Sequence, residues 1–542
     1  AGECMTLLEN DGTLPLAGAG KVAVYGNGVR HTVKGGTGSG DVNTRTVVTI
    51  EQGLKEAGFE ILTGKWLDEY DKVLADAQAA YQAELAKKAE ELHIPIFAVM
   101  FSEAFVQPDV PAITEKEDTD TAIYVLSRNS GEGADRYNRA CDYLLGENEL
   151  ADIAYLAEHY EKTVLILNIA NLVDTTELKK IKGLNAILLA GQAGNATGNI
   201  VADVVLGKSI PSGKLTDTWA ASYEDYPSSK NFSHNNGDTN DEYYSDGIYV
   251  GYRYFETFAP EKVMYEFGFG LSYTEFSMET VKAESTGNGK DAKIALSIRV
   301  KNTGAAAGKE AAQVYVSAPQ GQLGKPARVL CGFAKTKLLA PGEEEVLELT
   351  IPVSRFASYD DSGVTGHKSC YVLEEGLYKI YVGNSVRCTE KANVDGKGGY
   401  EVSSCIVTEE LEEALAPTKE FLRLKTGRQK EDGVFARAYE KAPQQMVDLA
   451  ERIKSRLPKE LPQTGNKGIT LQAVAENIKN GSSVEEELDA FVAQFTNEEL
   501  AVIVRGEGMS SPKVTPGTAS AFGGVSDLSL IHISEPTRHS LI

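Results

Sequence analysis

Six short, almost wholly apolar runs, spaced by stretches long enough for helices, limit the fold of the first 220 residues more than any other feature. They are Val22–Tyr25, Phe59–Leu62, Ile96–Met100, Ala122–Leu126, Val164–Ile169 and Ala186–Leu189. Runs of this kind fit strands covered on both faces, which have no solvent side to alternate with. Between them lie segments such as Trp66–Leu92, rich in Ala, Glu and Lys as helices are. Strand and helix in turn predict a six-stranded α/β sandwich domain over residues 1–221.

The pattern then changes. Residues 222–275 are aromatic and irregular and read as a bridging segment packed on a surface. From residue 276 to about 390, the segments ALSIRVKNTG, AAQVYVSAP, EVLELTIPV and GLYKIYVG alternate between turn residues. That is the pattern of a fibronectin type III-like β-sandwich. Residues 391–440 are polar and read as a linker. In 441–527, Met446, Leu449, Ala450, Ile453 and Leu457 follow helical spacing, and Ser483 with Glu486 and Thr496 with Glu499 form capping-box signatures. The segment LSLIHISEPTR, Leu528–Arg538, reads as the in-frame translation of a transposase sequencing adapter, so residues 528–542 are set aside from the fold.

A formal charge of -24 argues against nucleic acid and anionic membrane as partners, since both attract basic surfaces. No apolar run is long enough for a membrane helix. The six cysteines include no C-x-x-C pair and are too few for a disulfide scaffold. With no signal peptide at the Ala-Gly-Glu start, the expected compartment is the cytoplasm.

Two motifs follow predicted strands and invite chemistry. SGEGADR, Ser130–Arg136, places Glu132 between two glycines at a strand end, where catalytic groups are often carried on loops. By itself it reads as a surface glutamate before a catalytic one. Asp135 and Arg136 are placed to pair and hold the loop, and Arg128 and Arg136 would favour an ionised Glu132. KGGTGSGDVN, Lys34–Asn43, is a glycine-rich loop that admits three readings: a plain loop, a sugar-facing loop or a phosphate cradle. The last is disfavoured, because no G-K-[ST] follows and G-x-G-x-x-G is not matched. His31, His93, His159, His234 and His367 show no metal-ligand spacing, and no G-x-S-x-G elbow occurs. Tyr243, Tyr244, Tyr249, Tyr252, Tyr254, Phe255 and Phe258 read as interface packing before sugar stacking.

Taken in order, these segments resemble glycoside hydrolase family 3 β-glucosidases along nearly the whole chain before the tail. ECMTLLENDGTLPL resembles the start of the family's α/β sandwich domain, and KGGTGSGDVN, SGEGADR and GNIVADVVLGKSIPSGKLTDTW follow in the family's order. DGIYVGYRYFETF and YEFGFGLSYT resemble its bridge, and GKEAAQVYVSAP and GFAKTKLLAPGE its fibronectin-like domain. FTNEELAVIVRGEG and RGEGMSSPKVTPGTASAFGGV resemble the opening of its (β/α)8 barrel, which here comes last, a permuted order. Two small departures are Glu266, where the family usually has Pro, and His31, where Gln is common.

The resemblance implies a retaining, exo-acting β-glucosidase, present as a piece that stops short of most of the barrel. Glu132 would be the general acid/base; Thr37, Gly38 and Ser39 would face the sugar, with Ser39 the foremost contact. The nucleophilic Asp would lie in the barrel, outside this chain. The substrate would be a short oligosaccharide or aryl glucoside. No metal or organic cofactor is implied, and a bacterial origin and a homo-oligomer fit the resemblance. Three other readings stay open: a β-xylosidase or other exo-glycosidase of the same family, a non-catalytic carbohydrate-binding scaffold, and a nucleotide-binding protein using the glycine loop.

Overall fold

The computed structural model describes residues 1–500 except 38–41, 43, 95, 97–98, 100–102, 104, 132–135, 171, 233–236, 238–240, 242, 413–416, 418, 445–448, 457–463 and 498. Gly38, Ser39, Glu132, Asp135, His234, the RGEGMSSPKV segment and the 528–542 tail therefore lie outside the described residues.

The sandwich domain is a six-stranded sheet in the order β1-β6-β5-β4-β2-β3. The strands are β1 (Thr6–Asn10), β2 (Lys21–Tyr25), β3 (Glu60–Ile61), β4 (Thr121–Arg128), β5 (Lys162–Ile169) and β6 (Ala186–Leu189). β2 to β6 run parallel, and β1 pairs antiparallel with β6. Alternate residues of each central strand enter opposite cores. Ile123, Val125, Val164 and Ile166 pack under α1 (Ile50–Glu56) and α4 (Thr197–Val205). Tyr124, Leu126, Leu165 and Leu167 pack under α3 (Glu147–His159). This double burial is why the strands read as unbroken apolar runs. The helices start on local signals: Thr49 caps α1 by accepting from Gln52 N, and Glu149 in α3 turns back to accept from Gly146 N at 2.7 Å. The long helix α2 (Gly64–Leu92) buries Leu67, Tyr70 and Leu74 at helical spacing.

One predicted strand is wrong. Ile96 and Val99 are helical, and Val99 packs on Leu85 and Ala89 of α2. A five-residue apolar run covered by a helix on one side has the same pattern as a short strand. The sixth strand is instead β1, at the sheet edge. It is braced from outside, with Gly213 N donating to Met5 O at 3.0 Å and Leu271 N to Leu7 O at 2.9 Å.

In the bridge, β7 (Trp219–Ala220) pairs with β8 (Val263–Tyr265), and α5 (Tyr252–Phe258) lies between them in sequence. The fibronectin-like domain packs the sheet β13-β10-β9 against β12-β11-β16-β17 around one core, with β18 also paired to β16. Its strands are β9 (Phe276–Thr286), β10 (Lys293–Asn302), β11 (Ala311–Ser317), β12 (Val329–Lys335), β13 (Glu344–Pro352), β16 (Gly376–Gly383), β17 (Thr389–Lys391) and β18 (Tyr400–Val402). A small sheet adds β14 (Ser358–Asp360), β15 (Cys370–Leu373) and β19 (Ile406–Glu410). The stretch expected as a linker also holds a hairpin of β20 (Leu422–Gln429) and β21 (Phe435–Lys441). Leu424 and Phe435 of the hairpin share a core with Tyr249, Tyr254, Phe255 and Phe258, so those bridge aromatics are packing residues, whereas Tyr244 is exposed.

A second unit takes in residues 38–42 and 447–542. Its helices are α6 (Leu449–Arg456), α7 (Leu471–Lys479) and α8 (Val484–Val492). Thr470 caps α7, Ser483 caps α8 by accepting from Glu486 N, and Thr496 and Glu499 exchange bonds as a complete capping box. Leu471, Val484, Leu488 and Val492 remain exposed. No described helix is long and apolar enough to cross a membrane.

Candidate active site

The strand order sets where a site can form. The chain leaves β2, adds β3 on one side of it, and returns with β4 on the other. The connections leaving the carboxyl ends of β2 and β4 carry α1 and α3 to opposite faces of the sheet, and such a switch point is the usual ligand position in sheets of this kind. The described beginnings of both motifs sit there: Lys34–Thr37 follow β2, and Ser130 and Gly131 follow β4.

Buried amides fix the roots of these loops. Asn27 donates from Nδ2 to Ser127 O at 3.0 Å and accepts from Ser127 N at 2.6 Å, tying the end of β2 to the end of β4. Asn168, at the end of β5, accepts from Val33 N at 2.7 Å and donates to Val33 O at 2.9 Å and Gly191 O at 2.7 Å. It also accepts from Ser127 Oγ at 2.7 Å. Four loops are thus held by one fully satisfied polar network.

From these roots the two motifs converge. Thr37 N donates to Ser130 O at 3.2 Å, and Thr37 and Gly131 form an isolated parallel bridge. The approach requires glycine: a Cβ on Gly131 would lie 2.5 Å from Thr37 N and 2.6 Å from Thr37 O. Of the predicted sugar-facing residues, Thr37 is described, and it lies against the residue that precedes Glu132. Its Oγ1 is buried and finds no hydrogen-bond partner among the described residues, an unmet polar group at the crevice.

Asp142 anchors both ends of the SGEGADR loop. Arg128, at the start, donates from Nε to Asp142 O at 2.9 Å. Arg136, at the end, donates from Nε to Asp142 Oδ1 at 2.8 Å, from Nη2 to Asp142 O, and from Nη1 to Leu172 O at 2.8 Å. Tyr137 N adds a bond to Asp142 Oδ2 at 2.9 Å. Arg128 also forks onto Glu149, with Nη1 to Oε1 at 2.9 Å and Nη2 to Oε2. The two arginines expected to favour an ionised Glu132 are therefore each paired with another carboxylate. The expected Asp135–Arg136 pair lies outside the described residues on the Asp135 side. His31 is turned elsewhere, 2.7 Å from Asp71 Oδ1.

Beside Gly131 opens a cleft of about 350 Å³, walled by the sandwich and the bridge. Ser130, Gly131 and Arg136 form one side; Tyr143, Tyr223, Tyr226, Phe232 and Leu172 supply most of the rest. Tyr143 and Tyr223 meet edge to face at 5.3 Å, and Asn138 Nδ2 donates to Glu224 Oε1 at 3.2 Å, which fastens the bridge here. The Tyr226 hydroxyl donates to Thr218 O at 3.1 Å and accepts from Ala220 N at 3.0 Å, while burial pushes its pKa up to about 12. No local pattern marks this wall, because its rings lie up to some 90 residues apart and follow no period. Among the described residues no group of three or more His, Cys, Asp or Glu is arranged to hold a metal.

Comparison with known proteins agrees with this architecture. Residues 5–273 match the glycosyl hydrolase family 3 C-terminal domain, and residues 310–386 match the fibronectin type III-like domain. A β-glucosidase of Ruminococcus albus is 39% identical over 530 residues, covering 96% of this chain and 51% of that protein. Beta-glucosidase A of Butyrivibrio fibrisolvens is 36% identical, covering 96% of this chain and 65% of that protein. The crystal structure of a β-glucosidase from Paenibacillus barengoltzii superposes with a TM-score of 0.81 at 42% identity, over 95% of this chain and 54% of that one. The chain spans about half to two thirds of the length of these relatives. With its two β-containing domains matched in order and likeness running along nearly all of its length, the chain belongs to glycosyl hydrolase family 3.

Proposed function

We propose that this chain carries the acid/base side of the active site of a retaining, exo-acting β-glucosidase, with Glu132 as general acid/base and the nucleophilic Asp outside the chain, in a (β/α)8 barrel. The observation that carries the reading is the meeting of the two motif loops at Thr37 and Gly131, at the switch point of the sheet, directly before Glu132. The names of the relatives support a glucoside as substrate. The substrate class is then a terminal β-D-glucosyl residue of a short oligosaccharide or an aryl glucoside.

In this reading the barrel carboxylate attacks the anomeric carbon as the bond to the leaving oxygen breaks, and protonated Glu132 gives its proton to that oxygen. The glycosyl ester that results is opened by water, whose proton passes to the now ionised Glu132 while the nucleophile departs. Such an acid must hold its proton near working pH, which a nearby free cation would oppose. The engagement of Arg128 by Glu149 and of Arg136 by Asp142 removes that opposition.

The test is Glu132→Gln in a reading frame completed through the barrel. Glucosides with poor leaving groups should lose about 10²-fold or more, activated aryl glucosides far less, and azide should restore turnover on the latter. Equal losses on both classes without rescue would make Glu132 structural. An aryl β-xyloside assayed in parallel separates the β-xylosidase reading. The 542-residue chain alone should not turn over aryl β-glucosides.

A further inference from the structure

We propose that a groove between the bridge, the fibronectin-like domain and the hairpin of β20 and β21 binds a neutral oligosaccharide, apart from the catalytic crevice. The groove has a volume of about 410 Å³, inside the usual range of small-ligand sites, and shares no lining residue with the cleft beside Gly131. The inference does not depend on the role of Glu132.

One wall is aromatic. Along β15, Cys370, Val372 and Leu373 are buried, and Tyr371 takes the other face, 37% exposed. Tyr359 stands opposite Tyr371 in the register of β14 and β15, and the two rings meet at 5.2 Å, inclined by 50°. Ile248 and Val250 of the bridge, 52% and 48% exposed, add aliphatic surface to the same groove. A pyranose carries C–H groups on its faces and hydroxyls around its edge, and tyrosine rings receive such faces.

The rest of the lining is polar, and its charges nearly cancel. Leu424 turns into the core with Tyr249, which leaves Arg423 and Lys425 on the other face of the hairpin. Arg423 forks onto Asp361, with Nη2 to Oδ1 at 3.0 Å and Nη1 to Oδ2, and reaches Glu440 Oε1 from Nε at 2.9 Å. Lys425 Nζ donates to Glu440 Oε2 at 2.8 Å. Burial would raise the Glu440 carboxyl, but the bonds from Lys425 and Arg423 hold it below the ordinary carboxylate range. Two cations thus balance two carboxylates. The fifth charged group, Arg253, lies over the Tyr252 ring at 5.3 Å. No cluster of cations among the described residues is left to hold a phosphate or an acidic chain. Asp361 and Glu440 each keep an oxygen with a single bond made, and Lys425 has donors in hand, which are the groups that sugar hydroxyls need.

The walls are tied together by bonds of their own. Leu424 N donates to Ser245 O at 2.7 Å, and Thr426 Oγ1 donates to Gln320 Oε1 at 3.0 Å, joining the hairpin to the bridge and to the fibronectin-like domain. A groove already held in shape loses less freedom on binding.

Saturation-transfer NMR on the 542-residue chain with cellotetraose tests this. Tyr371→Ala should weaken binding about tenfold, and Tyr371→Phe, which keeps the ring, should hold it within about twofold. Val250→Glu puts a charge on the bridge side and gives a second reading should Tyr371→Ala disturb the small sheet; it should weaken binding about fivefold or more. The Kd should change less than about twofold between about 50 and 500 mM salt. Cellotetraose that fails to bind, or binding that survives both substitutions, would overturn the proposal. So would a tetragalacturonate that binds more tightly and is released by salt. In the completed enzyme, Tyr371→Ala should leave turnover of an aryl β-glucoside within about twofold; a larger loss would place the groove inside the active site and overturn its separateness. Glu132→Gln should leave cellotetraose binding unchanged, so this proposal and the proposed function fail separately.

Discussion

Arg128–Glu149 in the α/β sandwich and Lys325–Glu374 in the fibronectin-like domain are both buried ion pairs, and they do different things. Side-chain exposure is 2% and 1% in the first and 2% and 7% in the second. Arg128 forks onto Glu149 and still has donors left, which reach Ser127 O and Asp142 O and so extend to the loop that carries Glu132. Lys325 has one ammonium, shared between Glu374 and Gln320 O. Glu374 in turn accepts from Gln322 N at 2.6 Å and Leu323 N at 3.4 Å. Every extra bond of the second pair returns to the turn at 320–325. A guanidinium can hold a partner and a second element at once; an ammonium here only closes its own loop.

The sharpest way to break this contrast is to remove one charge at each site. Arg128→Met leaves Glu149 buried without its cation, and a loss of about 3–5 kcal/mol is expected from urea unfolding. Changing both partners to apolar residues should recover most of that stability, yet turnover in the completed enzyme should stay low because the loop has lost its anchor. Lys325→Met should cost somewhat less, about 2–4 kcal/mol, since Glu374 keeps two backbone donors. The double change there should leave turnover untouched. Equal effects on turnover from both pairs would refute the distinction.

Asp152, also buried in the sandwich, is the unpaired case. It accepts from Ile113 N at 2.7 Å, but its other oxygen has no partner among the described residues. Burial, with Asp109 and Glu149 nearby, pushes its carboxyl up to about 7. A folded-state value above the unfolded one of about 3.9 means full stability below about pH 4, lost as pH rises through about 7. Asp152→Asn should therefore match the parent near pH 4 and exceed it by on the order of 2 kcal/mol above pH 7, read from urea midpoints across pH. No divergence with pH would show that Asp152 is solvated.

The smallest expected effect on stability is Gly131→Ala, below about 1 kcal/mol because the loop lies at the surface. The added carbon must still part Thr37 from Gly131, so turnover in the completed enzyme should fall about 10–100-fold. An unchanged rate would detach the loop contact from catalysis.

What the sequence made legible follows from how each element is covered. β2, β4, β5 and β6 are buried on both faces and read directly as apolar runs. β1 does not read as an apolar run, because Thr6, Glu9 and Asn10 break its pattern at the sheet edge. The hairpin at 422–441 had a usable signal, Asp432-Gly433 between two alternating segments, with Gly433 at φ 88°. Its charged outer face made the stretch read as a linker. The two motif loops are marked by their glycines, but their convergence depends on the order of strands, which no local pattern encodes. The cleft depends on a fold that brings Tyr143 to Tyr223.

The bracing of β1 has a consequence beyond the sheet. Met5 and Leu7, at the start of the sandwich, are bonded to Gly213, near its end, and to Leu271 of the bridge. A domain whose first and last segments lie side by side can be cut from one place in a gene and joined at another without rewiring its interior. That adjacency makes the sandwich a portable unit, whose fold does not depend on what precedes or follows it in a gene.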